Sequence, residues 1–175
     1  MNTNDFLAKL DTAKGLAPTN RFIAIISGPS GLAQPADLSF FCDQAPLGAR
    51  TIATSDLKHY GPVRKIAREN TYAEYTLRFI MTNAWEARDY FVKWMDMAVS
   101  PETANMKYYD EYKGDVDVLA FDQTNESVSV DRATTGTKYI DTFPTSIEAI
   151  TMAWDNTNQL GQFNVSFVCR KWQAI

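Results

Sequence analysis

Between Tyr75 and Thr82 apolar and polar residues alternate: Tyr75, Leu77, Phe79 and Met81 on one side, Thr76, Arg78, Ile80 and Thr82 on the other. A period of two predicts a strand with one face toward a core. Asn83 interrupts the alternation and Glu86 follows three residues later, a spacing that predicts a capped helix start. Beyond it Ala87, Tyr90, Phe91, Trp94, Met95 and Ala98 recur at i, i+3, i+4, i+7, i+8 and i+11. That period predicts an amphipathic helix over about residues 84–98. Its apolar face, with Tyr90, Phe91, Trp94 and Met95, is expected to dock on a sheet.

The remaining pattern is mostly extended. Strands are predicted over residues 21–27, 38–45, 63–68, 115–121, 127–132, 147–154 and 163–172, with 137–143 weakly extended and ended by Pro144. Residues 127–132 are expected to pair with 115–121 as a hairpin. Gly28-Pro29-Ser30-Gly31 and Asp155-Asn156-Thr157-Asn158 read as turns. Residues 1–19 are loosely patterned, an arm in which Phe6, Leu10 and Ala13 suggest a short helix face. Residues 46–61 form a long inter-strand loop or an extended hairpin carrying Leu47, Ile52, Leu57 and Tyr60. Runs of strands with one dominant helix predict a mainly β fold, an antiparallel sandwich or barrel with one flanking helix. No linker or repeat divides residues 1–175, so one domain is expected.

Charge and composition narrow the function. A formal charge of -4 and no strong basic cluster beyond Arg64, Lys65 and Arg68 argue against gripping nucleic acid. Those three read as a solvated strand face. No apolar run is long enough for a membrane span, and residues 1–10 do not read as a secretory signal. Cys42 and Cys169 fall at apolar positions of strands and read as buried free thiols.

Catalytic patterns are weak. The single histidine, His59, has no partner histidine for a metal site, and a Ser-His-Asp triad would depend on it alone. Gly28 to Gly31 lacks the lysine of a phosphate loop. Asp115 and Asp117 sit two apart on a strand, where a solvated edge is the simpler reading than an acid–base dyad. No metal, cofactor or catalytic residue is assigned, and a binding or assembly role is expected.

Ala87-Arg88-Asp89-Tyr90-Phe91-Val92-Lys93-Trp94 resembles the A-R-x-x-F-V-x-W helix of tail tube proteins of contractile-tailed bacteriophages. Pro144-Thr145, Trp154-Asp155, Asn158, Phe163 and Val165 are similar to that family's P-T…W-D-x-x-N…F-x-V spacing. Phe40, Cys42 and Ala45, with Leu47 beyond, resemble its F-x-C-x-x-A strand, and Arg21-Phe22 its first strand. The likeness spans roughly residues 20–172 and departs at 28–37. It implies a β-sandwich or barrel, six copies joined into a ring around a lumen, and rings stacked into a tube inside a contractile sheath. It further implies a structural, non-enzymatic virion protein assembled in the host cytoplasm. Its partners would be itself, the sheath, baseplate, tail-terminator and tape measure proteins, and DNA would pass without specific binding. Six chains of -4 would carry -24 formal charges, which suits such a conduit.

Within that reading Leu47, Ile52, Leu57 and Tyr60 are candidate inter-ring contacts, and Thr76, Arg78, Asn164 and Ser166 candidate lumen residues. Arg88 lies off the apolar stripe and is expected to form a salt bridge within or between subunits. The alternatives are a baseplate tube initiator, a type VI-like secreted tube protein and, from a different class, a small-ligand-binding β-barrel.

Overall fold

The computed structural model describes residues 2–12, 16–58, 60–123, 130–154 and 160–175. In chain order these form α1 (Thr3–Thr12), β1 (Phe22–Ser27), a 3-10 turn (Leu38–Phe41), β2 (Cys42–Gln44), β3 (Arg50–Leu57), β4 (Arg64–Tyr72) and β5 (Tyr75–Ile80). Next come α2 (Glu86–Ala98), α3 (Tyr109–Tyr112), β6 (Gly114–Ala120), a second 3-10 turn (Val130–Arg132), β7 (Thr135–Ile147) and β8 (Gln162–Ala174). Six strands make one antiparallel sheet, β1-β6-β7-β8-β5-β2, nearly closed into a barrel. Among the described residues β3 and β4 pair only with each other, as a separate hairpin.

The alternation expected at residues 75–82 and 163–172 becomes the centre of this sheet. Leu77 faces Val165 across the ladder and Phe79 faces Phe163, all buried. Onto this face α2 lays Phe91 and Trp94, both fully buried, with Ala87 and Tyr90 beside them. The Phe91 ring stands 4.9 Å from Phe79 and 5.8 Å from Phe167. Trp94 stands 6.2 Å from Phe167 and donates its indole N–H to the Tyr112 carbonyl at 2.6 Å. Each such side chain contributes about 1.5–3 kcal/mol gross when buried. Met95 is only half-buried, at the rim of the stripe.

Gly114 makes the close helix–sheet contact feasible. A Cβ there would lie 2.5 Å from the Ser27 carbonyl oxygen and 2.7 Å from the Trp94 ring. The buried Thr142 hydroxyl is paired: its Oγ donates to the Val168 carbonyl at 2.8 Å and meets the Tyr75 hydroxyl at 2.8 Å.

Several expectations are corrected. The α2 start is not an Asn83 capping box. The Trp85 N–H bonds the Thr82 carbonyl, placing Asn83 in a turn, and the helix opens after Trp85, whose φ is 57°. Glu86 is then the first helical residue; with Asp89 it complements the helix dipole instead of reaching back to a cap. Residues 38–41 are a 3-10 turn, not strand. Its three-residue period buries Leu38 but leaves Phe40 77% exposed, so Phe40 does not share a buried face with Cys42. The partner of β6 is β7, not residues 127–132, of which 130–132 are a 3-10 turn and 127–129 lie outside the described residues. Pro144 does not end β7: the ladder shifts register between Pro144 and Ser146 and runs on to Ile147. Past Ile147 the chain leaves the sheet, so the strand expected over 147–154 is absent. Met152 and Trp154 are exposed there. In the arm, α1 forms, but Ala13 and the side chains of Phe6 and Leu10 lie outside the described residues, as does the turn at 155–158.

Candidate assembly surfaces

The sheet has two strands with one free side each. Among the described residues β1 pairs only with β6, and β2 only with β5. Free backbone N–H and C=O groups on such edges are templates for another strand. β2 is short, and its ladder with β5 is irregular between Cys42 and Gln44. A side-chain clamp supplements it. Arg78 Nε donates to both Asp43 carboxylate oxygens at 2.9 and 3.0 Å, and Arg78 Nη2 lies 2.9 Å from Oδ2.

The second surface is the β3–β4 hairpin. Polar bonds fix its base to the barrel: Trp172 Nε1 donates to the Ala49 carbonyl at 2.9 Å, the Gly48 N–H to Thr137 Oγ at 3.1 Å, and the Tyr139 hydroxyl to the Pro46 carbonyl at 2.9 Å. Arg50 lies 5.7 Å over the Trp172 ring. Gly48 is required at this joint, since a Cβ would stand 2.5 Å from that indole. Beyond the base nearly every hairpin residue is exposed on both faces.

The residues expected at 46–61 sit here. Leu47 is at the joint and Tyr60 in the connection between the strands. Ile52 and Leu57 lie on β3, and all four are at least half exposed. The register separates two of them. Leu57 shares a face with Arg64, and Ile66 with Ser55 on that same face, whereas Ile52 shares the other face with Asn70. Ile66 and Val63, also half exposed, were not singled out by sequence. The hydrophobic residues of β4 are interleaved with Arg64, Lys65 and Arg68, so the segment reads as a solvated face. Residues 50–72 hold five basic and two acidic side chains, a formal +3, which leaves -7 on the rest of the chain of net -4.

The third surface is the outward face of β2, β5 and β8. It brings together Thr76, Arg78, Asn164 and Ser166, with Asn164 directly opposite Arg78 and Ser166 opposite Thr76. The Thr76 and Ser166 hydroxyls are 3.2 Å apart, and Asn164 donates its amide to Glu148.

Other ion pairs gather on β6–β8. Asp141, at φ 52°, accepts Arg170 at 2.7 Å and Lys113 at 3.3 Å. Lys138 lies 3.7 Å from Asp115 and 3.8 Å from Asp117. Burial raises the Asp117 carboxyl above its ordinary 3.8, with Asp115 adding to the rise and Lys138 opposing it. The two aspartates are thus held by a lysine and not arranged as a dyad around a cleft. Arg88, half-buried on α2, forms no ion pair among the described residues. Cys42 and Cys169 are buried and free, and burial pushes the Cys42 thiol up to about 12. His59 lies outside the described residues, and among those described no three His, Cys, Asp or Glu side chains are placed to hold a metal ion.

A family model described as phage tail tube protein matches residues 3–175. No curated protein sequence matches. Among solved structures, the chain is similar to one in the sheath-tube complex of the extracellular contractile injection system PVC in its extended state. That match has 12% identity and a TM-score of 0.64, covering 100% of this chain and 98% of that one. It is similar to one in the PVC sheath/tube terminator at 13% identity and TM-score 0.64, covering 91% and 96%. A chain of the anti-feeding prophage baseplate matches at 11% identity and TM-score 0.66, covering 91% and 95%. At these identities the likeness is one of fold.

Proposed function

The chain belongs to the phage tail tube protein family, and from that premise we propose that its copies join into hexameric rings that stack as the inner tube of a contractile tail. The observation that carries this reading is what one copy leaves unpaired. The barrel has a buried core, yet among the described residues β1 and β2 each keep a free edge and the β3–β4 hairpin has no partner strand. A lone two-stranded hairpin is marginal in water. Strand edges that join across subunits give the ring, and the hairpin gives the stacking contact.

In that assembly Leu47, Ile52, Leu57 and Tyr60 contact the next ring, with Ile66 on the Leu57 face. The formal +3 of the hairpin complements the -7 of a neighbouring body. Arg88 forms its salt bridge with an adjacent subunit. The outward face of β2, β5 and β8 lines a lumen through which DNA slides without specific binding. The mechanism is geometric and involves no catalysis.

The solved structures of the same fold come from sheath-tube, terminator and baseplate assemblies. That supports sheath, terminator and baseplate proteins as partners, with a tape measure protein in the growing tube. The protein would act in the virion tail after assembly in the host cytoplasm. Electron microscopy of concentrated purified protein tests the reading: rings or tubes with a central channel are expected. Protein that stays monomeric, even on a baseplate seed, would overturn it. Arg88→Ala should fold normally and assemble poorly; unchanged assembly would remove Arg88 from the interface.

A further inference from the structure

We propose that Asp43 is a charge mask: it ties up the Arg78 guanidinium so that the channel wall offers no free cation to a passing DNA duplex. The proposal rests on the tube reading above and assigns a specific duty to one cluster within it.

On the β2–β5–β8 outward face Arg78 stands among Thr76, Asn164, Ser166 and Gln162, and the other cation of that face among the described residues, Arg170 farther along β8, is itself paired with Asp141. An uncovered arginine there would recur six times in every ring. Phosphate contacts are additive in a polyelectrolyte, so repeated weak contacts would hold the duplex strongly. The geometry prevents this. Three hydrogen bonds converge on the Asp43 carboxylate: two from Arg78 Nε at 2.9 and 3.0 Å, and one from Gln162 Nε2 at 3.1 Å. The Arg78 Nη2 to Oδ2 distance of 2.9 Å closes the fork.

Stability alone is a weak reason for this pair. Surface ion pairs contribute about 0–1 kcal/mol. Arg78 has a separate reason to be present: it holds β2, whose ladder is irregular at Asp43, against β5. Asp43 then serves both purposes, anchoring the strand and cancelling the charge. The neighbouring groups are likewise turned on one another, Thr76 to Ser166 and Asn164 to Glu148, so that few donors point outward unpaired. The same pairing of outward cations recurs at Lys138 with Asp115 and Asp117, and at Lys113 and Arg170 with Asp141.

The test uses assembled tubes sedimented with a short linear duplex or with closed circular plasmid, which cannot thread a tube. Wild-type tubes should carry down neither. Asp43→Asn tubes should retain about tenfold more linear duplex at low salt, with retention falling as salt rises. They should still ignore the plasmid, and Asp43→Asn with Arg78→Gln should return to the wild-type level. Retention of linear duplex at the wild-type level by Asp43→Asn tubes would overturn the mask. Equal capture of plasmid would overturn it too, because the face would then be external. If Asp43→Asn does not assemble, Ser166→Lys leaves the Asp43–Arg78 pair intact and adds a cation opposite Thr76, away from the Glu148 carboxylate that Asn164 meets. Those tubes should retain linear duplex, and failure to do so would overturn the proposal. Wild-type protein that forms no tubes by microscopy would instead overturn the tube reading itself, a result visible before any DNA is added.

Discussion

Replacing Trp94 with Ala tests whether α2 braces the sheet. The side chain is fully buried, its ring 5.9 Å from Tyr90 and 6.2 Å from Phe167, with the backbone of Gly114 against its far edge. Truncating a buried tryptophan costs about 3–5 kcal/mol, because the surroundings only partly close the cavity. The Tyr112 carbonyl also loses its 2.6 Å donor, adding about 1 kcal/mol where water cannot replace it. Against a typical stability of about 5–15 kcal/mol this is a large fraction. The measurement is urea unfolding of dilute monomer followed by far-ultraviolet circular dichroism, since assembly would add stability by mass action. The midpoint should fall with little change in m, and the thermal midpoint should drop by about 8–24 °C. Trp154→Ala is the control: that side chain is fully exposed, and its loss should cost less than about 0.5 kcal/mol. A Trp94→Ala loss below about 1 kcal/mol, or one equal to that of Trp154→Ala, would refute the bracing role.

Leu57→Asp with Ile66→Asp places two charges on one hairpin face and should leave monomer stability within about 0.5 kcal/mol while abolishing stacked tubes; sedimentation velocity and microscopy read the outcome. Gly114→Ala should destabilise by about 1–3 kcal/mol through overpacking against Trp94 and Ser27, measured by the same urea midpoint. Asp117 is expected to make stability pH-dependent in the less usual direction. Its folded carboxyl holds a proton more tightly than the unfolded chain does, so stability falls as pH rises from 3.8 through the raised value. Asp117→Asn should therefore gain on wild type across that interval, and parallel urea midpoints from acid to neutral pH would show it. Neither Cys42 nor Cys169 should react with a thiol reagent at pH about 8 until the chain unfolds, because burial raises both thiols.

Legibility in the sequence followed how local the cause was. β5, β8 and α2 were readable because one buried face imposes its period directly on Leu77, Phe79, Phe163, Val165, Phe91 and Trp94. β7 was misread as short because two of its buried positions are Thr137 and Thr142, and because it contains Pro144. Thr142 looks like a surface residue in one dimension; only the arrival of Tyr75 and Val168 makes its burial affordable. Residues 38–41 show the reverse error. Leu38, Phe40 and Cys42 alternate on paper, but a 3-10 turn puts Phe40 in water. Residues 147–154 alternate as well, yet Met152 and Trp154 find no neighbouring strand. Alternation predicts a strand only where a partner supplies the other half of the ladder.

The candidate surfaces were less legible because their physics is relational. Asp43 and Arg78 are far apart in sequence and meet only because β2 joins β5. Net charge concealed more than it revealed, since -4 averages a basic hairpin of +3 with a body of -7. Ile52 and Leu57 read alike as candidate contacts in the sequence, yet five residues apart on β3 they fall on opposite faces, because the register shift between Ala53 and Thr54 takes its extra residue, Arg68, from β4. The hairpin therefore presents a different surface on each side, Leu57, Ile66 and Arg64 on one and Ile52 on the other. Two unlike faces are what a head-to-tail contact between identical copies requires, because each copy must engage one neighbour with one surface and another neighbour with a second.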